Sequence, residues 1–133
     1  MISYSPLLCL DFYKTAHAEQ YPAALTKMVS YYTPRMTRLA DTEKVTMFGL
    51  QAFIQEYLIE AFNTHFFDRS LDEVLAEYKR VLNNTIGTDG VGVERLTALH
   101  KLGYLPLEIR AVPEGTRTIF MFRKLRSRIP TPT

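Results

Sequence analysis

Four side chains near the start of the chain have the types that ligand chemistry needs: Asp11, Tyr13, Lys14 and His17 fall within seven consecutive positions. A tyrosine ring suits an electron-poor heteroaromatic, because stacking needs a rigid flat face and costs little side-chain entropy. Arg35 follows three residues after Tyr32. It suits a phosphate, to which its planar guanidinium can give two parallel hydrogen bonds. On spacing alone the plainer readings stand beside these, a packing tyrosine in a first helical turn and a solvated arginine after a strand. No self-contained catalytic machine accompanies them, so no catalytic residue is assigned. His17, His65 and His100 lie 48 and 35 residues apart, whereas zinc sites show close ligand pairs, so no metal site is expected. Neither standard phosphate-loop pattern occurs, and Thr88 to Val93 reads as a flexible turn. Ser30 and Cys9 have no base beside them.

These residues must be held by a small set of elements. Asp11 to Glu19 reads as a short helix with Asp11 as its N-cap and Pro22 as its stop. Lys27 to Thr33 alternates and is rich in Val and Tyr, the pattern of a strand that Pro34 ends. Met36 to Thr42 is a polar connection, with Asp41 or Thr42 available as the next cap. Leu50, Phe53, Ile54, Tyr57, Leu58, Ala61 and Phe62 follow the 3.6-residue period and predict a helix with one continuous buried stripe. Ser70-Leu71-Asp72-Glu73 is a capping-box pattern, opening a helix that buries Leu71, Val74, Leu75, Tyr78 and Leu82 and ends by Gly87. Val93 to Leu102 predicts another helix, stopped by Gly103. Leu107 to Ala111 alternates as a half-buried strand, Pro113-Glu114-Gly115 is a turn, and Thr118 to Phe122 supplies a further candidate strand. The class is α+β, two or three strands packed with a helical block. So small a sheet is marginal alone and needs helices, or strands from elsewhere, packed on it.

The layout Asp11-x-Tyr13-Lys14-x-x-His17-x-x-Gln20-Tyr21-Pro22, then a strand and Arg35, resembles the amino-terminal signature of nicotinamide phosphoribosyltransferases. Two further blocks match in order, Phe48-Gly49-Leu50-Gln51 and Leu105 through Gly115, so the likeness runs over residues 7 to 115. It implies an incomplete part of a larger α/β phosphoribosyltransferase fold. The implied reaction transfers phosphoribose from phosphoribosyl pyrophosphate to the ring nitrogen of nicotinamide, in NAD salvage. The family's active site forms between two subunits of a homodimer. There the motif tyrosine, here Tyr13, sandwiches the nicotinamide ring against a phenylalanine of the other subunit. By the same resemblance Asp11 sits beside the ring and Arg35 faces the phosphate end, which makes all three substrate-binding residues. Phe12 stands where the family often has a small polar residue. The complete family enzyme also uses magnesium and ATP, a cofactor set this chain is not expected to hold alone. Family members are several times longer, so turnover is expected to need a companion or full-length chain. The alternative is a non-enzymatic truncated paralogue that pairs with the complete enzyme and modulates it.

Composition fits a folded domain: 47% of the 133 residues are hydrophobic and 23% charged, ordinary globular values. No membrane span or secretory leader is legible. The single cysteine, Cys9, excludes an intrachain disulfide, fits a reducing cytoplasm and reads as a buried thiol. Charge is distributed unevenly. All 14 acidic residues lie at or before Glu114, with 11 of the 16 basic ones, while residues 116–133 carry five basic residues and no acid. Residues 1–115 therefore read as the family-like domain and 116–133 as a basic divergent tail, expected to be loosely ordered. A basic stretch supplies only the electrostatic part of a nucleic-acid site, so no nucleic-acid partner is expected from it. The tail also departs from the family's next motif, T-I/V-E-N-T-D/H-P. Codons for Ser127 to Pro132 can be read one frame over as Glu-Asn-Thr-His-Pro, the expectation for a family gene with a shifted frame.

Overall fold

The computed structural model describes residues 5–88 and 90–130. Its contacts divide the chain into two units, one formed by the chain up to Ala23 with Ala52–Leu105, the other by Ala24–Gln51 with the chain from Pro106 onward.

The first unit is helical. A 3-10 turn, Pro6–Leu8, precedes a longer 3-10 segment, Phe12–Gln20. Helix α1 is the short Leu50–Phe53; the unit boundary falls within it. π-helical winding follows over Ile54–Ala61 and Asn63–Phe67. Helices α2, Leu71–Ile86, and α3, Val93–Leu102, complete the unit. Ser70 caps α2 as its sequence predicts: its Oγ accepts the Glu73 N–H at 3.4 Å. Gly87 and Gly103 end α2 and α3 with φ of +75° and +78°, the left-handed geometry that glycine adopts without steric cost. The core is Leu7, Phe66, Val74, Tyr78 and Leu82, with Phe12, Phe62, Phe67, Leu96 and Leu99 packed against it. Three of those core residues are the predicted buried face of α2, spaced four apart so that they stack along one side.

The segment after Leu50 departs from the predicted uniform α-helix. In π winding each N–H reaches five residues back, as Asp68 does to Asn63 at 2.9 Å. The predicted stripe nonetheless keeps to the sheltered side: Leu50, Ile54, Tyr57, Leu58 and Phe62 are half-buried and Ala61 is buried, while Gln51, Gln55, Glu56 and Glu60 are exposed. Phe53 is the exception at 48% exposed, and Phe66, beyond the predicted stripe, is fully buried. The wider turn also gathers rings at its end, with Phe62 edge-on to Phe66 at 6.3 Å and Phe66 tilted onto Phe67 at 4.8 Å. Cys9 is another departure: it is exposed, its thiol directed to the Ser5 carbonyl at 3.5 Å. Among the described residues no helix is long and apolar enough to cross a membrane.

The second unit holds the strands. They are β1 (Lys27–Tyr32), β2 (Lys44–Thr46), β3 (Glu108–Ala111), β4 (Arg117–Ile119) and β5 (Leu125–Pro130). One antiparallel sheet has the order β1-β5-β3, and a second pairs β2 with β4. The tail expected to be loose therefore supplies β4 and the middle strand of the larger sheet. The physical reason lies in its alternation. Leu125, Ser127 and Ile129 face one way and Arg126 and Arg128 the other, a period of two that a strand satisfies despite the charge. Pro130 is the last described residue of the strand and pairs with Lys27. Lys124, just before β5, is 2% exposed. Its Nζ donates to the Val45 carbonyl at 2.6 Å, its N–H to Tyr32 at 3.0 Å, and its carbonyl accepts from Val112 at 3.0 Å.

Two sequence blocks far apart in the chain close on each other in this unit. Glu114 of the Pro-Glu-Gly turn accepts the N–H groups of Gly49, Leu50 and Gln51 at 2.9, 2.7 and 3.3 Å. Beside it Met47 and Thr116 are joined at 2.9 Å, and Gly115 and Met47 at 2.8 Å. The cap of α1 is thus Glu114, not Asp41 or Thr42. A carboxylate suits the free N–H groups of a helix start whichever part of the chain brings it.

Two outcomes follow. Deleting residues 124–130 should abolish amide-exchange protection in both Lys27–Tyr32 and Glu108–Ala111, because each of those strands bonds β5. Protection surviving in either would contradict the ladder. The second concerns Glu108, whose carboxylate accepts from Arg110 at 2.6 Å and Arg128 at 3.5 Å. The hydrogen bond from Arg110, then its charge, holds this carboxyl below the usual range. Its contribution is therefore complete above the ordinary carboxylate pKa and lost as pH falls through the lowered one. Acid unfolding followed by circular dichroism should show a shallower acid limb for Glu108→Gln than for the parent chain.

Candidate functional site

Phe12 and Tyr13 are adjacent and meet opposite environments. Phe12 packs on the helical core, which anchors the 3-10 segment and turns the next side chain outward. Tyr13 is 65% exposed. Its ring meets His17 edge-on, centroids 5.4 Å apart, since residues four apart lie close on a helical surface. The Lys14 ammonium lies 5.8 Å from the same ring centroid and 3.2 Å from the Asp11 carboxylate. The hydrogen bond to Asp11, with its charge, raises the lysine above its usual pKa. Asp11 also accepts the Lys14 N–H through its carbonyl at 2.8 Å. Where the sequence suggests a side-chain N-cap, the carboxylate serves as the ion-pair partner of Lys14.

Asp11, Tyr13 and Lys14 are exposed and cluster with the half-buried His17: a flat ring, a carboxylate, an ammonium and an imidazole. Such a cluster can stack on and orient a planar heterocycle. His17 was legible only as part of the motif spacing; its contact with the ring needs the helical turn.

Arg35 belongs to the strand-bearing unit. It is exposed in an open concavity of about 1230 Å³. Tyr31, Tyr32, Lys44 and Arg123 line the same concavity, as do Thr33, Thr37, Thr42 and Thr46. The Arg123 guanidinium covers the Tyr31 ring at 4.5 Å, a favourable cation–π geometry. No carboxylate is among the lining residues. The arrangement offers cations and hydroxyl donors to an anion. Sequence reasoning assigned Arg35 but missed Lys44 and Arg123, which reach the concavity only through the two sheets. Among the described residues no three His, Cys, Asp or Glu side chains converge as metal ligands.

Residues 5–109 match the model of the nicotinamide phosphoribosyltransferase N-terminal domain. The nicotinamide phosphoribosyltransferase of Acinetobacter baylyi (strain ATCC 33305 / BD413 / ADP1) is 45% identical over 118 residues, covering 85% of this chain. The same match covers 23% of the relative, so this chain spans about a quarter of that protein's length. With the family model covering most of its residues, the chain belongs to the nicotinamide phosphoribosyltransferase family, as its amino-terminal domain.

Proposed function

We propose that this chain contributes Tyr13, Asp11 and Arg35 to a composite nicotinamide phosphoribosyltransferase site completed by a second polypeptide. The observation that carries the reading is Tyr13 itself, a large ring held 65% exposed while its neighbour Phe12 is packed on the core. An exposed, rigid, flat ring beside a carboxylate and an ammonium suits a role in ligand contact. Tyr13 stacks on the nicotinamide ring, and Asp11 fixes the Lys14 ammonium beside it. Arg35 holds the phosphate end of phosphoribosyl pyrophosphate. Transfer of the ribosyl carbon to the pyridine nitrogen passes through an oxocarbenium-like state and releases pyrophosphate. Holding the acceptor ring flat and the pyrophosphate fixed lowers the barrier by positioning and by stabilising separated charge.

Magnesium and ATP, where used, are held by the companion polypeptide, and the chain alone turns over no substrate. The single cysteine fits a cytoplasmic setting. Modulation of an intact enzyme by this chain is the alternative, separated by adding the chain to the complete relative and measuring nicotinamide mononucleotide formation.

The test is reconstitution with a form of the Acinetobacter baylyi relative lacking its counterpart of this segment. Nicotinamide binding to the mixture is measured by calorimetry and product by chromatography. Tyr13→Ala should weaken nicotinamide binding by roughly 1–3 kcal/mol, the scale of a lost stacking platform, and Tyr13→Phe should retain most of it. Phe66→Ala, at a fully buried position, should instead cost about 3–5 kcal/mol of stability. If Tyr13→Ala unfolds the chain and leaves nicotinamide affinity intact, Tyr13 is a packing residue and the composite-site reading fails.

A further inference from the structure

The basic end of the chain plays no part in that reading, yet the fold gives it a definite place. We propose that the strand-bearing unit carries a binding face for single-stranded nucleic acid, formed by the basic face of the β1-β5-β3 sheet and the concavity beside it.

The charge of this unit is the first support. Residues 24–51 and 106–133 contain ten Lys and Arg against four Asp and Glu. Register collects much of that charge on one side. In an antiparallel pair, residues directly opposite share a face, as do alternate residues along a strand. Tyr31 is opposite Arg126, Val29 opposite Arg128, and Lys27 opposite Pro130. On the other edge Arg110 is opposite Arg126 and Glu108 opposite Arg128. Lys27, Arg110, Arg126 and Arg128 therefore share a face with Tyr31, and Glu108 is the one carboxylate these pairings place there. The opposite face carries Met28, Ser30, Tyr32, Ile109, Ala111, Leu125, Ser127 and Ile129, none of them charged, so the charge is segregated to one side.

Aromatic rings are the second support. A basic stretch by itself gives electrostatic attraction; a single strand also needs flat platforms for its unpaired bases. Tyr31 is 49% and Tyr32 58% exposed, and both line the concavity with Arg35, Lys44 and Arg123. Tyr31 belongs to both the basic sheet face and the concavity, which makes the two surfaces continuous. Arg123 over the Tyr31 ring supplies a second flat group that a base can stack against. The concavity is open, so a polymer can pass through it. A duplex hides its bases from such platforms. An acidic protein would meet the charges but leave the exposed tyrosines without a role.

The experiment is fluorescence anisotropy of the full chain with labelled single strands of thymidine or uridine, about ten nucleotides long, across a salt series. Binding should weaken with salt. Arg126→Gln should lower the slope of log affinity against log salt by roughly 0.7, the value of one lost phosphate contact on a single strand. Tyr31→Ala should weaken binding about five- to hundredfold, and Tyr31→Phe should leave it nearly unchanged; circular dichroism checks that each variant keeps its sheet. The proposal is overturned if the parent chain fails to bind at low salt. It is equally overturned if heparin, duplex or an acidic peptide binds as well as the single strands and Tyr31→Phe and Tyr31→Ala behave alike. None of these readouts involves nicotinamide or a companion polypeptide, so the composite-site reading stands or falls separately.

Discussion

Strand β5 is the constraint on which the strand-bearing unit rests. β1 and β3 do not bond one another; each bonds β5, which therefore holds the whole of the larger sheet. Lys124 fastens its start, with the amine on Val45 and the backbone on Tyr32 and Val112. A lysine amine can be buried only where it keeps a hydrogen-bond partner, and the Val45 carbonyl meets that condition. Apart from Lys124, Met47 is the one buried residue named for this unit among the described residues. Ladder hydrogen bonds, not a thick apolar core, hold these strands in place.

Glu114 has a comparable part at a smaller scale. Its carboxylate satisfies three N–H groups contributed by Gly49, Leu50 and Gln51, so two of the three family-like sequence blocks are explained by one contact. Gly49 and Gly115 both hold positive φ, +83° and +80°, as a tight double turn around a carboxylate requires. The third block, from Asp11 onward, works differently. There the inward Phe12 and the outward Tyr13 divide the tasks of anchoring and presenting, and the ion pair of Asp11 with Lys14 steadies the turn between them.

What the sequence made legible was local. α2 carries its own start and stop signals, Ser70 and Gly87, and α3 its stop, Gly103, and their boundaries agree with the structure. β1 announces itself through alternation. The exposed cluster around Tyr13 was also readable, because its members lie within two helical turns. The misses are long-range or depend on winding. Nothing near Leu50 signals a cap from Glu114, sixty-four residues away. The π winding after Phe53 was not legible, since the residues' hydrophobic spacing does not mark it. β5 was hidden because arginines and a proline masked its alternation, and Arg123 joins Tyr31 only once that strand is in place.

The position of β5 also determines what the chain meets while it is being made. β1 pairs with residues 93 to 103 positions later, from Tyr32 with Leu125 to Lys27 with Pro130. The entropic cost of closing so long a loop grows only slowly with its length, but contacts this distant form late. During synthesis Met28-Val29-Ser30-Tyr31-Tyr32 leaves the ribosome long before its partner exists. An uncharged stretch with β-branched and aromatic side chains, open on both edges, is the kind of segment that pairs with its neighbours' copies. Lys27 at its head and Pro34 and Arg35 beyond its end act as gatekeepers against that fate. The strand with the most distant partner is thus one whose open edges stay uncovered until the last strand has been made.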